Sequence, residues 1–338
     1  MGAEVRLHDP LAFQGRVELR TVHSRALEGN PLGDPHVREL PVYLPPGDAG
    51  AGLPVCFVLS GFTGRGQSAL ETHPWRRGLV WQFDRAVAAG ETPPMILVLP
   101  DCFTKLGGSQ YLNSSAVGNY ADHVARELVP LVDDHYPTNG RHAVMGKSSG
   151  GFGALHFCMD TPGLFQACAF VSGDCGFDQL FPGEFLACLR GLVPHGGDPA
   201  RFLEAFFERP DLDGDGHAVI NTLAMAACYS PNPNSPLGFD LPFDLHNGVL
   251  LGEVWQRWLE KDPIHAVTDH AEALRDLELL HLECGLRDEF HLQWGLRRLT
   301  RKLEALSVPF HHEEHPGGHR GLDDRFPPIF RRIGELLG

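Results

Sequence analysis

The run Gly146-Lys147-Ser148-Ser149-Gly150 carries the pattern G-x-S-x-G, with apolar Ala143–Met145 before it and Phe152–Leu155 after it. This pattern puts a serine on a sharp turn between a strand and a helix. Such a serine sits in a strained backbone conformation, so its neighbours two residues away on each side must lack side chains. The turn lifts Oγ out of the sheet, and the following helix aims its N-terminal amides at charge developing on a substrate oxygen. Gly151 and Gly153 are expected to let that helix lie close to the strand. The chemistry this suits is nucleophilic attack by Ser148 on an acyl carbonyl. A phosphate cradle is the competing reading of a Gly/Ser-rich turn, but the P-loop spacing and its Lys-Ser/Thr ending are absent.

A serine hydroxyl is a poor nucleophile until a histidine takes its proton, and that histidine needs a carboxylate to fix its tautomer. After such an elbow the acid and then the histidine follow along the chain, on loops after later strands. His319 fits, because it follows the last strand-like run and Gly317-Gly318 allow its loop to fold back over the serine. The chain has 19 histidines, so position decides among them. His311, His312 and His315 fall in strand-like spacing, and Pro309 and Pro316 exclude the long helix that a zinc-binding pair at 311 and 315 requires. For the acid, Asp288 lies in Gly285-Leu286-Arg287-Asp288-Glu289-Phe290, just after another strand-like run. Glu289 stands beside it and in principle also reaches a histidine. A helix is expected to begin near the two, with Phe290 and Trp294 turned into the core, Asp288 on the loop side and Glu289 toward solvent.

The elements that must position these groups alternate along the chain. Gly15 to His23 alternates polar and apolar residues, and Val37 to Leu44 reads as its antiparallel partner. Val55–Ser60, Met95–Leu99, His142–Met145, Ala167–Ser172 and Glu278–Cys284 are short apolar runs of the kind buried on both faces of a sheet. Helical spacing is expected over Trp75–Ala88, Tyr120–His135, Phe152–Met159, Leu292–Leu306 and about Pro328–Leu337, and Val308–His315 is the last strand. Strand, loop and helix in repetition imply a mostly parallel sheet with helices on both faces. The pattern breaks between about Gly176 and Asp276, where helical pieces are joined by proline-rich stretches. A segment of that length between two strands is expected to form a cap, residues 176–276, inserted in one domain spanning 1–338.

Composition narrows the partners. The formal net charge of −15 disfavours nucleic acid and anionic membrane, both of which repel it. Met1 to Pro10 lacks an apolar leader core, and no apolar run approaches a membrane span. Eight cysteines lie mostly alone in apolar runs, as expected of buried, reduced thiols in a cytoplasmic protein. Asp211-Leu212-Asp213-Gly214-Asp215-Gly216 begins like a calcium loop, but Thr222 occupies the twelfth position, where the bidentate glutamate belongs. It reads as an acidic turn, with Asp211, Asp213 and Asp215 the only metal candidates, and no cofactor is expected.

The chain resembles the putative-esterase branch of the α/β-hydrolases, the group of esterase D-type S-formylglutathione hydrolases, feruloyl esterases and mycolyltransferases. The matching residues are Val42-Tyr43-Leu44-Pro45-Pro46-Gly47, Ser60-Gly61-Phe62-Thr63-Gly64, Tyr111-Leu112-Asn113-Ser114, Gly146 to Gly151, Gly285-x-x-Asp288-x-Phe290 and Gly317-Gly318-His319. The resemblance implies an eight-stranded α/β-hydrolase sheet, a triad of Ser148, Asp288 and His319, and an oxyanion hole made by the backbone amides of Phe62 and Ser149. One departure is Ser60, where the family usually has His or Asp. The expected function is a serine carboxylesterase for small or compact acyl esters, thioesters included, acting on a small molecule as a monomer or homodimer. An acyltransferase using the same acyl-enzyme, and a silent binding protein on the same fold, are the alternatives.

Overall fold

The computed structural model describes residues 13–47, 52–73, 76–210 and 212–338. One sheet holds eight strands: β1 (Arg16–His23), β2 (Val37–Leu44), β3 (Leu53–Leu59), β4 (Ile96–Val98), β5 (Thr138–Lys147), β6 (Ala167–Val171), β7 (Leu279–Gly285) and β8 (His311–His315). Their spatial order is β1-β2-β4-β3-β5-β6-β7-β8. β2 runs antiparallel to β1 and β4, and every other pairing is parallel. The mostly parallel sheet expected from the alternation of elements is therefore present.

Strands β3, β4 and β6 are apolar throughout because both of their faces are covered. In β3, Val55, Phe57 and Leu59 enter one core while Cys56 and Val58 enter the other. In β6, Cys168 and Phe170 point one way and Ala167, Ala169 and Val171 the opposite way. This is the period-two alternation of side chains along a strand. One face is closed by α1 (Leu79–Ala88) and by the C-terminal helix Phe326–Leu337, which bury Val80, Phe83, Ile329, Phe330 and Ile333. Helix α1 is shorter than expected. Gly78 is extended at its N-cap, Arg76–Arg77 pairs with Thr72–His73, and Trp75 lies outside the described residues. All eight cysteines are buried.

The other face carries α2 (Val129–His135), α3 (Ser149–Asp160) and a helical segment between β6 and β7. Helix α2 continues from a π-turn over His123–Leu128. The wider turn ends beside Pro130, which has no N–H to continue the regular ladder. The segment before β7 contains α4 (Pro182–Leu192), α5 (Pro199–Glu208), α6 (Gly216–Tyr229) and α7 (Gly252–Leu259). Phe177, Phe181, Tyr229 and Trp258 pack ring on ring, with Phe177–Tyr229 and Tyr229–Trp258 centroids 5.1 and 5.2 Å apart. Phe152 of α3 joins them 5.7 Å from Tyr229, so this aromatic cluster is continuous with the core beneath the sheet. The buried carboxylate of Asp262 accepts the N–H groups of Gly176 at 3.0 Å and Phe177 at 2.7 Å, tying the segment's exit to its entry. Beyond β7, α8 (Leu292–Ala305) buries Leu292, Leu296, Leu299 and Leu303, the stripe read from their spacing. The C-terminal helix, Phe326–Leu337, is α9.

Candidate active site

Ser148 sits between β5 and α3 with φ 59° and ψ −129°, a conformation that L-residues rarely adopt. Its N–H donates to the carbonyls of Val171 and Ser172 at 3.0 and 3.1 Å, which fixes the turn against β6. A Cβ on Gly146 would lie 2.3 Å from the Gly150 carbonyl carbon, and one on Gly150 would lie 2.2 Å from the Leu59 oxygen. Neither clash involves a movable side chain, so both glycines are obligatory. Gly151 does allow close approach to the sheet, its Cβ position being 3.0 Å from the Gly146 oxygen. Gly153 has a different cause from the one expected: it makes room for the Tyr111 ring, 2.5 Å from where a Cβ would stand.

That tyrosine supports the loop after β3. Its hydroxyl donates to the Ser60 carbonyl at 2.8 Å, and Ser60 Oγ donates to the Arg65 carbonyl at 2.8 Å. Ser60 therefore closes the turn through its own hydroxyl. The loop passes close to the nucleophile, with the Cβ position of Gly61 only 3.4 Å from Ser148 Cβ. Among the described residues, neither the Phe62 amide nor the Ser149 amide donates to a protein group. Both residues line the same cavity as Ser148, and an oxyanion requires donors of this kind.

His319 and Asp288 are together and both buried, with Nδ1 2.8 Å from Oδ2. Asp288 Oδ1 accepts the Phe290 N–H at 2.9 Å. Burial by itself raises the Asp288 carboxyl. The hydrogen bond and charge of His319, with the Phe290 and Leu292 amides, outweigh it and hold the carboxyl below the usual aspartate value. Two local expectations need correction. Phe290 turns onto the His319 ring, centroids 4.8 Å apart, whereas Trp294 is 48% exposed and lies under the Arg297 guanidinium. Helix α8 starts only at Leu292, so Phe290 lies before it and does not share the helical phase assumed with Trp294. Glu289 does face solvent, but its Oε2 accepts the backbone N–H of His319 at 2.6 Å. Sequence offers no pattern for a side chain that holds a distant backbone amide. His315 adds support from the strand end, its Nδ1 accepting the Gly317 N–H at 3.1 Å.

Ser148 and His319 line one cavity of about 540 Å³. Leu180 and Phe181 form part of its wall, as do His217, Asn221 and Met225, four residues apart along α6. Among the described residues no hydrogen bond joins Ser148 Oγ to His319, and such contacts commonly tighten only when substrate binds. The polar contact that Oγ does make is with Asp174 Oδ1 at 3.5 Å, the outer limit for a hydrogen bond. Asp174 was missed by sequence reasoning. Its signal was positional: Ser172-Gly173-Asp174 follows β6, the neighbour of the nucleophile's strand, and ligands bind off the carboxyl ends of such strands.

In the acidic loop both Asp215 oxygens are held by Arg190 at 2.5 Å, and Asp211 lies outside the described residues. Among the described residues, His281, His311 and Glu313 have ligand atoms within 4.8 Å of one another. Guanidinium groups already supply positive charge there: Arg325 donates to Glu313 at 2.7 Å, and Arg332 lies 3.2 Å from His281 Nδ1.

Residues 35–321 match the family described as "Putative esterase", and the chain belongs to that family. Membership marks it as an ester hydrolase. Solved structures of similar fold include a ferulic acid esterase at 20% identity and TM-score 0.61, covering 96% of this chain and 100% of the other. An S-formylglutathione hydrolase from Agrobacterium tumefaciens is 17% identical at TM-score 0.55, with 97% of each chain covered. One from Staphylococcus aureus is 15% identical at TM-score 0.58, covering 96% of this chain and 99% of the other. Their likeness establishes the α/β-hydrolase fold. No helix among the described residues is long and apolar enough to cross a membrane.

Proposed function

We propose that the protein is a serine carboxylesterase in which Ser148, His319 and Asp288 form the triad. The observation that carries this reading is the strained Ser148 turn sharing one cavity with the His319–Asp288 pair. Ser148 Oγ attacks the acyl carbonyl while His319 takes its proton, and Asp288 holds the imidazole in the tautomer that can accept it. The amides of Phe62 and Ser149 receive the oxyanion. His319 returns the proton to the leaving alcohol or thiol, and water then releases the acyl group by the same steps.

The helical segment 176–276 caps the strand ends, and through Leu180, Phe181 and Met225 it closes the cavity over the acyl group. A site of this volume with an apolar wall favours short or compact acyl chains. The test is labelling with a fluorophosphonate probe beside a panel of p-nitrophenyl esters from acetate to palmitate. Acetate and butyrate esters should be preferred, and Ser148→Ala should abolish labelling and lower turnover by orders of magnitude while circular dichroism stays unchanged. Near-normal hydrolysis by that variant removes Ser148 from the mechanism. Faster cleavage of laurate and palmitate esters removes the compact-acyl assignment.

A further inference from the structure

The carboxylate nearest Ser148 is not the one that orients His319. Asp174 is buried (7% exposed), and its two oxygens are unequally served. Oδ2 accepts from Ser149 Oγ and Gln110 Nε2, both at 3.1 Å, whereas Oδ1 has the single 3.5 Å contact with Ser148 Oγ. Gln110 is itself fixed, donating to the Tyr229 hydroxyl at 2.6 Å, so the carboxylate is oriented from the loop before α2 and from the end of α6 together. Burial holds the Asp174 carboxyl above its ordinary value, and Gln110, the charge of His319, Ser149 and Ser148 reduce that rise without cancelling it. A buried acceptor with one donor at the limit of range is under-satisfied.

Acylation makes the deficit complete. The Oγ–H bond is exchanged for an Oγ–C bond, and the proton leaves through His319 to the departing alcohol. Among the described residues Oδ1 then has no donor, and it faces an ester oxygen that is itself an acceptor. The α-carbon of the acyl group stands two bonds from Oγ, which brings substituents on the first carbons of the chain beside Oδ1. We infer that Asp174 is a specificity-determining residue for the acyl group, selecting acyl chains with a hydroxyl or ammonium donor on the α- or β-carbon. The inference rests on the Ser148 acyl-enzyme proposed above. Such a donor restores the hydrogen bond that acylation removes, and the same carboxylate repels an anionic acyl group.

The test compares kcat/KM by pH-stat for four near-isosteric esters: ethyl propionate, ethyl lactate, alanine ethyl ester and ethyl 2-fluoropropionate. The fluoro ester activates the carbonyl inductively but carries no donor, so it separates recognition from intrinsic reactivity. The lactate and alanine esters should exceed it by about tenfold or more. In Asp174→Asn, Ser149 and Gln110 hold the amide oxygen at the Oδ2 position, which turns the amide NH₂ toward the acyl group. The lactate-to-fluoropropionate ratio should then fall to about one or below. Equal turnover of the lactate and fluoropropionate esters by the native enzyme, an unchanged ratio in Asp174→Asn, or no turnover of any of the four overturns the inference. Fluorophosphonate labelling of Ser148 in the same preparation tells the two readings apart. A labelled serine leaves the hydrolase standing and removes only the acyl preference, whereas an unlabelled one removes both.

Discussion

At the scale of single residues, two adjacent carboxylates hold His319 in different ways. Asp288 holds the imidazole through Nδ1, and Glu289 holds the backbone N–H of the same residue. Asp288→Asn changes the tautomer that the site favours and should lower kcat by about three to four orders of magnitude. Glu289→Gln keeps an acceptor for the amide and should stay within about threefold of the native enzyme, while Glu289→Ala releases the loop and should cost about tenfold in kcat/KM. Steady-state rates of the three variants side by side check the assignment, and a larger loss in Glu289→Gln than in Asp288→Asn reverses it. Ser148, Asp288 and His319 could be singled out as the candidate triad because glycines and strand ends mark their positions along the chain. Asp174 was not, because the groups that define it, Gln110 and Tyr229, come from remote segments joined only by folding.

At the scale of elements, the interior strands could be read directly, since a strand covered on both faces needs an unbroken apolar run and β3, β4 and β6 have one. Element ends were less legible. Helix α1 starts four residues after its expected first residue, Trp75, because an extended Gly78 and a short hairpin intervene. The path of segment 176–276 could not be read at all, since its proline-rich joints fix no direction. What closes it is Asp262, which accepts from Gly176, Phe177 and Ile264 with no solvent exposure. Asp262→Ala leaves those amides without a partner and should lower the free energy of unfolding by about 2–3 kcal/mol. Denaturant titration measures the loss, and amide exchange should quicken first at Gly176 and Phe177. A variant as stable as the native protein shows that water replaces the carboxylate there.

At the scale of the whole molecule, buried carboxylates make stability depend on acidity. Burial raises Glu283, but hydrogen bonds from His281 and Arg325 and the charges of both prevail and hold it below its ordinary 4.5. Asp288 is likewise held below 3.8. A carboxyl depressed in the folded state contributes fully above its unfolded value, and the contribution is lost as pH falls through the folded value. These two groups should therefore make the melting temperature fall below about pH 4.5, against the opposite contribution of Asp34, Asp174 and Asp262, whose carboxyls burial raises, and Glu283→Gln should make that fall shallower. Thermal melts from pH 7 to 3 check this, and identical slopes for the two proteins remove Glu283 from the account. The aromatic cluster running from Phe152 to Trp258 has a consequence for how the enzyme turns over. Rings shared between the segment and the sheet cannot be separated without exposing the interior of the protein, so the segment does not swing as a hinged lid. Traffic in and out of the cavity then falls to rotations of side chains that line it, such as Arg320, which are far faster than domain opening. On the mechanism proposed above, turnover should then be set by the bond-making and bond-breaking at Ser148 rather than by the departure of product.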